Sequence, residues 1–261
     1  MNTTPEPLSH LHRLWDLGQR HLAGGRYVAA RRALESAEAI AWRQRDARSL
    51  ARIYLPLLEA RRQIRYNAAE GTLVLLNPTA PIHEQQKKVR DFLHAPAGTI
   101  LLPASSASPN HLAAGRLAAS IQYESRRTGR WLEALLLLQR GIHTRLASPA
   151  DPTFAAGLPV QFTTNTTHMI GSSTDLHLTV PLPPPGIYTA KTGGGLHALL
   201  RESLLIAPEA LALSWQHRHS PLRSSDPWQE LAWLRRALQI DPACEPISMR
   251  LIALAEAIER T

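Results

Sequence analysis

Cysteine and lysine are both scarce in this chain. The first scarcity excludes certain kinds of site, and the second bears on the origin of the basic charge. Cys244 is the only cysteine among the 261 residues, which excludes an intrachain disulfide and a cysteine-based zinc site. Lysine occurs only at Lys87, Lys88 and Lys191. Such use of arginine in place of lysine, with abundant Ala, Leu and Pro, indicates a GC-rich coding bias as much as selection for phosphate binding. We therefore interpret the chain as bacterial and basic by composition.

Long apolar runs are absent as well. The longest, residues 134–138 and 251–255, are far shorter than the roughly 20 residues that cross a bilayer. The segment Met1–Pro7 is short and polar, and no apolar signal core follows it. Because 44% of the residues are hydrophobic and 19% are charged, we expect a globular, cytoplasmic protein without a membrane partner.

Motifs of nucleotide binding, nucleophilic catalysis and metal binding are also missing. Lys191 lacks the preceding glycines of a phosphate-binding loop, and neither GxGxxG after a strand nor GxSxG occurs. The pairs His10/His12 and His217/His219 have no third ligand at a diagnostic spacing. The sequence therefore predicts no catalytic residue, no metal and no cofactor, and it favours a function other than that of an enzyme.

The strongest positive signal runs from Leu11 to Trp42, where two helices are predicted to meet at Gly24-Gly25. Small, apolar or aromatic residues recur at helical spacing, at Leu14, Leu17, Gly18, Gly25, Tyr27, Ala30, Leu34 and Ala37. These offsets resemble those of one tetratricopeptide repeat, a helix-turn-helix unit of about 34 residues. His21 stands in place of the first aromatic residue, and Trp42 in place of the closing proline. Gly18 and Ala30 are expected where the two helices approach closely, with Leu17 and Leu34 buried beside them.

A second stretch of this kind closes the chain. The predicted helix 228–240 ends before Asp241-Pro242, like the second helix of a repeat, although Glu230 stands where a close-contact alanine is expected. A helix predicted at 245–260 would cap the array. The resemblance covers about residues 11–66 and 209–260, and it implies that segments 1–70 and 208–261 are two halves of one all-α layer.

Between these halves the pattern changes, and residues 71–207 are predicted to form an inserted α/β domain. Apolar runs at 72–76, 99–102, 132–138, 176–180 and 204–206 alternate with helical patterns at 83–94, 108–128 and 196–201. The Leu and Ala content of 132–138 favours a helix locally, but the alternation favours a strand. Nearly all-apolar strands imply a mostly parallel sheet covered on both faces. Residues 141–174 are predicted to be a long loop, in which 160–164 could form an edge strand.

Two places after the predicted strands suit a small anionic ligand. Asn77 and Thr79 follow the first strand, and Ser105, Ser106 and Ser108 follow the second, at a helix start that offers amide donors. Serine is also the ordinary residue that caps a helix, so a purely structural role stays open.

A protein partner is the first expectation from the repeat resemblance. Tetratricopeptide proteins bind peptides in a groove lined by their first helices, and the corresponding positions here are His12, Trp15, Gln19, Ser49 and Ile53. The Lys, Asn and Arg of a carboxylate clamp are missing from these positions. Arg48 and Arg52 lie on the next helix, in an Arg-rich face that is either simply solvated or the binding site of an acidic partner.

The distribution of charge leaves nucleic acid as a further, less favoured partner. Residues 1–65 carry a net charge of +6, residues 66–207 carry +3, and residues 208–261 carry −1. A basic field of this kind attracts phosphates without identifying a partner. The first hypothesis is therefore a non-enzymatic protein-interaction scaffold, with a ligand-binding or enzymatic α/β domain and nonspecific nucleic-acid binding as the alternatives.

Overall fold

The computed structural model has two compact units, one helical and one built on a β-sheet. Met1–Ile64 and His219–Thr261 belong to the helical unit, and Arg65–Arg218 belong to the sheet unit. The residues described are 6–77, 80–105, 110–140, 143–147, 160–163, 178–181, 185–189 and 226–260, with single positions or short pieces between 191 and 217. Within these ranges no helix is both long enough and apolar enough to cross a membrane. The chain therefore combines an α-helical part with an α/β part.

The helices fall largely where the apolar periodicity predicts them. They are α1 (Glu6–Ala23), α2 (Tyr27–Gln44), α3 (Ala47–Glu70), α4 (Ile82–Leu93), α5 (Asn110–Thr128), α6 (Pro227–Ile240) and α7 (Glu245–Glu259). Asp46 precedes α3 and accepts the backbone N–H of Ser49 at 2.9 Å, and so caps the start of the helix. The helix continues through Pro56, which lies inside it.

The first two helices pack closely because one residue at their contact is a glycine. A Cβ placed on Gly18 would lie 2.5 Å from Cγ of Leu34, and Leu34 itself is fully buried. Gly25 turns the chain with a φ of 67°, a left-handed conformation that glycine adopts without steric cost. Leu17, predicted to be buried, is 37% exposed. It lies about 100° around α1 from Gly18 and so faces away from the closest contact.

The last helix lies against α3 in the opposite direction. Arg48, near the start of α3, pairs with Glu259 at the end of α7 at 3.2 Å. Further along α3, Arg62 pairs with Glu245 at the start of α7. These two ion pairs define an antiparallel register between the two helices.

The sheet unit contains the strands that follow α3. They are β1 (Thr72–Leu75), β2 (Ala97–Ser105), β3 (Trp131–Arg140), β4 (His143–Ala147), β5 (Val160–Thr163), β6 (Leu178–Pro181) and β7 (Gly186–Tyr188), and the described sheet has the order β6-β5-β4-β3-β2-β1-β7. The strand predicted at 132–138 is confirmed as β3. Pairing with β2 along its whole length outweighs the helical preference of its Leu and Ala residues.

The prediction of a mostly parallel sheet is wrong, because the sheet is mixed. The pairs β1–β2, β2–β3 and β5–β6 are parallel, whereas β1–β7, β3–β4 and β4–β5 are antiparallel. Only Gly141 and Ile142 separate β3 from β4. A connection this short can join antiparallel strands but not parallel ones, which need a crossover of a dozen or more residues.

The predicted loop 141–174 also contains more strand than expected. Both β4 and β5 fall within it, while residues 141–142, 148–159 and 164–174 lie outside the described part of the chain. The segment predicted as an edge strand, β5, pairs with β4 on one side and β6 on the other. One edge of the described sheet is β6, which ends at Pro181. A proline is tolerated at an edge, although it cannot donate a hydrogen bond to a neighbouring strand.

The core of the sheet unit lies between the central strands and two helices. Side chains of β1, β2 and β3 pack against α4 and α5 in one buried cluster, which includes Val74, Val89, Phe92, Ile100, Leu102, Ala118, Ile121, Ala134 and Leu136. Leu73, Leu75 and Leu101, which alternate with these along the strands, are buried as well. Both faces of the central strands are therefore covered, as their apolar sequences predict.

One predicted strand near the end of this unit is wrong. Leu205, the described residue of the run 204–206, is helical, as are the described positions between 208 and 217. The run is too short for its periodicity to distinguish a buried strand from a buried helix. The helix predicted at 196–201 lies outside the described residues except for Arg201, which is helical.

The contact at Gly18 leads to a stability prediction. The substitution Gly18→Ala should lower the free energy of unfolding by about 1–3 kcal/mol, because the new methyl group overpacks a buried leucine. Urea unfolding monitored by circular dichroism measures this loss. Gly24→Ala is the matched control, since a Cβ at Gly24 would meet its nearest neighbour at 3.4 Å. Equal stabilities of the two variants would contradict the close contact between α1 and α2.

His21 has an electrostatic environment that makes a second stability prediction. Its pKa is lowered from the ordinary value of 6.5 by burial first, and then by Arg26 and Arg20. Its Nδ1 atom is buried without a hydrogen-bond partner in the described structure. As the pH falls through about 6.5, the unfolded chain therefore binds a proton that the folded chain resists, and the free energy of unfolding should decrease.

The variant His21→Gln should lose part of this acid sensitivity. Urea titrations at about pH 7.5 and about pH 5.5 give the change in unfolding free energy for wild type and variant. His83→Gln, which alters an exposed histidine of α4, should keep the full wild-type dependence. If His21→Gln behaves like His83→Gln, burial of His21 does not limit stability at acidic pH.

Candidate interaction groove

A groove lies between α1 and α3 of the helical unit. Its cavity has a volume of about 30 Å³ and is lined by Leu11, His12, Trp15, Ser49, Arg52 and Ile53. The three residues on α1 and the three on α3 are spaced by one to four positions, so each set lies on one side of its helix. The groove is therefore a product of helix periodicity and of the distance at which the two helices pack.

The start of α3 is fixed by hydrogen bonds that hold one wall of the groove. The Ser49 hydroxyl donates to Oδ2 of Asp46 at 2.5 Å, and its N–H donates to Oδ1 at 2.9 Å. Both bonds satisfy polar groups at the first turn of the helix. The Ser49 hydroxyl thus has a structural role, as a donor to the residue that caps α3.

The position of α3 is also set by a buried polar group, here called the Glu38 cluster and made of Glu38, Trp42, Tyr54 and Arg235. Oε1 of Glu38 accepts the Tyr54 hydroxyl at 2.9 Å and Nε of Arg235 at 3.0 Å. The Trp42 indole N–H donates to the Tyr54 oxygen at 2.8 Å. Glu38 is 6% exposed and Tyr54 is 1% exposed, so these bonds replace lost contacts with water.

The Glu38 cluster joins α2, α3 and α6 within the helical unit. The Arg235 guanidinium also lies over the Trp42 ring at 4.8 Å from its centre. Trp42 meets Trp228 edge to face, with ring centres 5.9 Å apart. Burial and the Glu38 carboxylate raise the pKa of Tyr54 well above its usual range. The Tyr54 hydroxyl therefore remains a donor throughout the physiological pH range.

The chemistry of the groove is apolar with a basic margin. Leu11 is 2% exposed and Ile53 is fully buried, and the Trp15 ring adds a partly buried aromatic surface. The two ionisable side chains of the lining, His12 and Arg52, are both of basic type. Such a surface can contact an apolar group of a partner, with the Arg52 guanidinium of the groove beside it.

The size of the groove limits what it can hold. Pockets that bind whole small molecules commonly enclose roughly 300–1,000 Å³, whereas the space in this groove is only about 30 Å³. This space is too small for a cofactor or for a whole large side chain, so a partner could place only a small apolar group in it. In the described residues no group of three or more His, Cys, Asp or Glu side chains is arranged to hold a metal ion.

The structure separates the four residues proposed from sequence for partner binding. Trp15 and Arg52 line the groove, whereas Gln19 and Arg48 are not part of its lining. Arg48 instead pairs with Glu259 of α7. Leu11 was missed, because an almost fully buried leucine at the start of a helix has the sequence signature of an ordinary core residue.

The residues proposed for anion binding are only partly within the described structure. Thr79, Ser106 and Ser108 lie outside it, and Ser105 is the last residue of β2. Asn77 follows β1 and is partly buried. The parallel pairing of β1 with β2 places Asn77, just after β1, and Ser105, the last residue of β2, at the same edge of the sheet.

Comparisons with known proteins add no relative to this description. The chain matches no family model, no curated protein and no solved structure. The groove and its chemistry are therefore the basis for any functional proposal.

The Glu38 cluster gives a prediction about the support of the groove. Tyr54→Phe should lower the free energy of unfolding by about 1–3 kcal/mol, because it deprives the Trp42 indole of its acceptor and Glu38 of a donor. Chemical unfolding measures the change. Tyr123→Phe removes a hydroxyl from a tyrosine that is 64% exposed and should change stability by less than about 0.5 kcal/mol. A Tyr54→Phe protein as stable as the control would show that the cluster does not support α3.

Proposed function

We propose that the helical unit is a non-enzymatic protein-interaction module that holds a small apolar group of a partner in the groove between α1 and α3. The observation that carries this proposal is the groove itself, with its apolar walls of Leu11, Trp15 and Ile53. The indole N–H of Trp15 is buried without an acceptor in the described structure. A partner carbonyl that reached this nitrogen would offset a penalty of about 1–3 kcal/mol.

The resemblance to tetratricopeptide repeats supports the same site. In such arrays the first helices of successive repeats line the peptide-binding groove, and α1 and α3 would be the first helices of two successive repeats. The close contact of Gly18 with Leu34 fits the helix pair of one repeat. Our proposal is that the α/β part is inserted after α3, and that α6 and α7 complete the helical layer.

The direction of the last helices suggests how that layer is completed. Glu38 contacts Arg235, and Trp42 contacts Trp228, so the order of contacts along α2 is the reverse of that along α6. Stacked repeats related by a small rotation would keep equivalent helices parallel. We therefore assign α6 and α7 the role of a closing pair, which covers the apolar sides of α2 and α3 without extending the array.

Selection of short random peptides by display on the purified full-length protein tests the proposal. Selected peptides should lose affinity by about tenfold or more for Trp15→Leu, which removes an aromatic anchor, and for His12→Trp, which fills the groove. Gln239→Trp adds the same bulk at an exposed position of α6 and should leave binding unchanged. All three proteins must show the same thermal unfolding midpoint as wild type.

Two results would count against the proposal. One is a selection that yields no peptide with measurable affinity. The other is a set of peptides that bind His12→Trp and Gln239→Trp equally well, because such peptides would use a different surface.

A further inference from the structure

We infer that the segment bound in the groove is acidic, with a carboxylate placed against Arg52 and apolar residues on both sides of it. This inference rests on the proposed function and specifies the chemistry of the partner. Arg52 lines the groove and is exposed, and no carboxylate pairs with it in the described structure. Neither the groove lining nor the first turn of α3 beyond the capping Asp46 supplies an acid to neutralise it.

The neighbouring arginines show how unusual Arg52 is. On either side of it along α3, Arg48 pairs with Glu259 at 3.2 Å and Arg62 pairs with Glu245. Counting along both helices from these two ion pairs places Ala255 of α7 across from Arg52. An alanine offers no carboxylate, and the other arginine between these two ion pairs, Arg61, pairs with Glu35 at 3.3 Å. Arg52 is therefore the arginine of this stretch that is left available to a partner.

Exposed apolar surface continues on the other side of Arg52. Leu55 follows it by three residues, which places the two side chains about 5–6 Å apart on one side of the helix, and Leu55 is 56% exposed. An extended partner advances about 3.3–3.6 Å per residue. If a partner residue places its carboxylate on Arg52, an apolar partner residue one or two positions away on one side would reach the groove. An apolar partner residue one or two positions away on the other side would lie over Leu55.

A carboxylate on α3 sets the limit of this pattern. Glu59 lies one turn beyond Leu55, is exposed, and accepts a hydrogen bond from Gln63 at 2.9 Å. A second partner acid placed past Leu55 would be repelled by Glu59. The preferred segment consequently has its acidic residue between the two apolar residues and not outside them.

Charge reversal at Arg52 tests the inference. Two display libraries of short peptides are compared, identical except that the central residue is Glu in one and Lys in the other, with apolar residues varied on both sides. The wild-type protein should prefer the Glu peptides by about tenfold. Arg52→Glu should abolish or invert this preference. Arg236→Glu, which makes the same change of charge at an exposed residue of α6, should retain it.

The outcomes separate this inference from the proposed function. Peptides that bind in the groove without a preference for Glu, or whose preference survives Arg52→Glu, would overturn the acidic partner and leave the groove intact as a binding site. An equal loss of preference in Arg236→Glu would assign it to overall charge and also overturn the role of Arg52. If neither library yields binding that His12→Trp blocks, the proposed function fails and this inference fails with it.

Discussion

The helical unit depends on one buried carboxylate. Glu38 accepts hydrogen bonds from Tyr54 of α3 and Arg235 of α6, and these partners belong to two segments separated by the whole sheet unit. Burying a charged carboxylate away from water costs free energy unless all of its hydrogen-bond and ion-pair partners are present. The cluster therefore stabilises α2, α3 and α6 only when the two ends of the chain are together, and it makes the position of α3 specific.

The groove is a consequence of that positioning. Once α3 is held by Tyr54 and by its Asp46 cap, Ile53 and Arg52 come to lie beside Trp15 of α1. The distribution of charge follows from the same packing. The acidic carboxyl-terminal segment supplies Glu245 and Glu259 to arginines of α3, so the basic character of residues 1–65 is partly neutralised within the helical unit. A field reduced in this way is a weaker basis for nucleic-acid binding than the sequence alone suggests.

Local patterns predicted most of the helices and strands but not the pairing of the sheet. The periodicities of α1, α2 and α3 and the apolar runs of β1 and β2 are local properties, so the sequence was sufficient for them. The antiparallel pairing of β3 with β4 depends on recognising a second strand after Gly141, where Pro, Thr and Ser residues conceal it. The helical positions of Trp15 and Arg52 are likewise local, and they are enough to predict both residues as candidates for partner binding. The contact of Glu38 with Arg235 joins residues 197 positions apart in the chain, so no local sequence pattern predicts it.

The most direct test of the groove as a binding site is photo-cross-linking in cells that produce the protein. A photoreactive phenylalanine analogue is introduced at His12 in one variant and at Gln239 in another, and adducts are mapped by mass spectrometry. We predict a defined protein adduct at position 12 that is absent at position 239, with the cross-linked segment carrying an acidic residue between apolar ones. The same adducts at both positions, or none at position 12, would contradict a partner-binding role for the groove between α1 and α3.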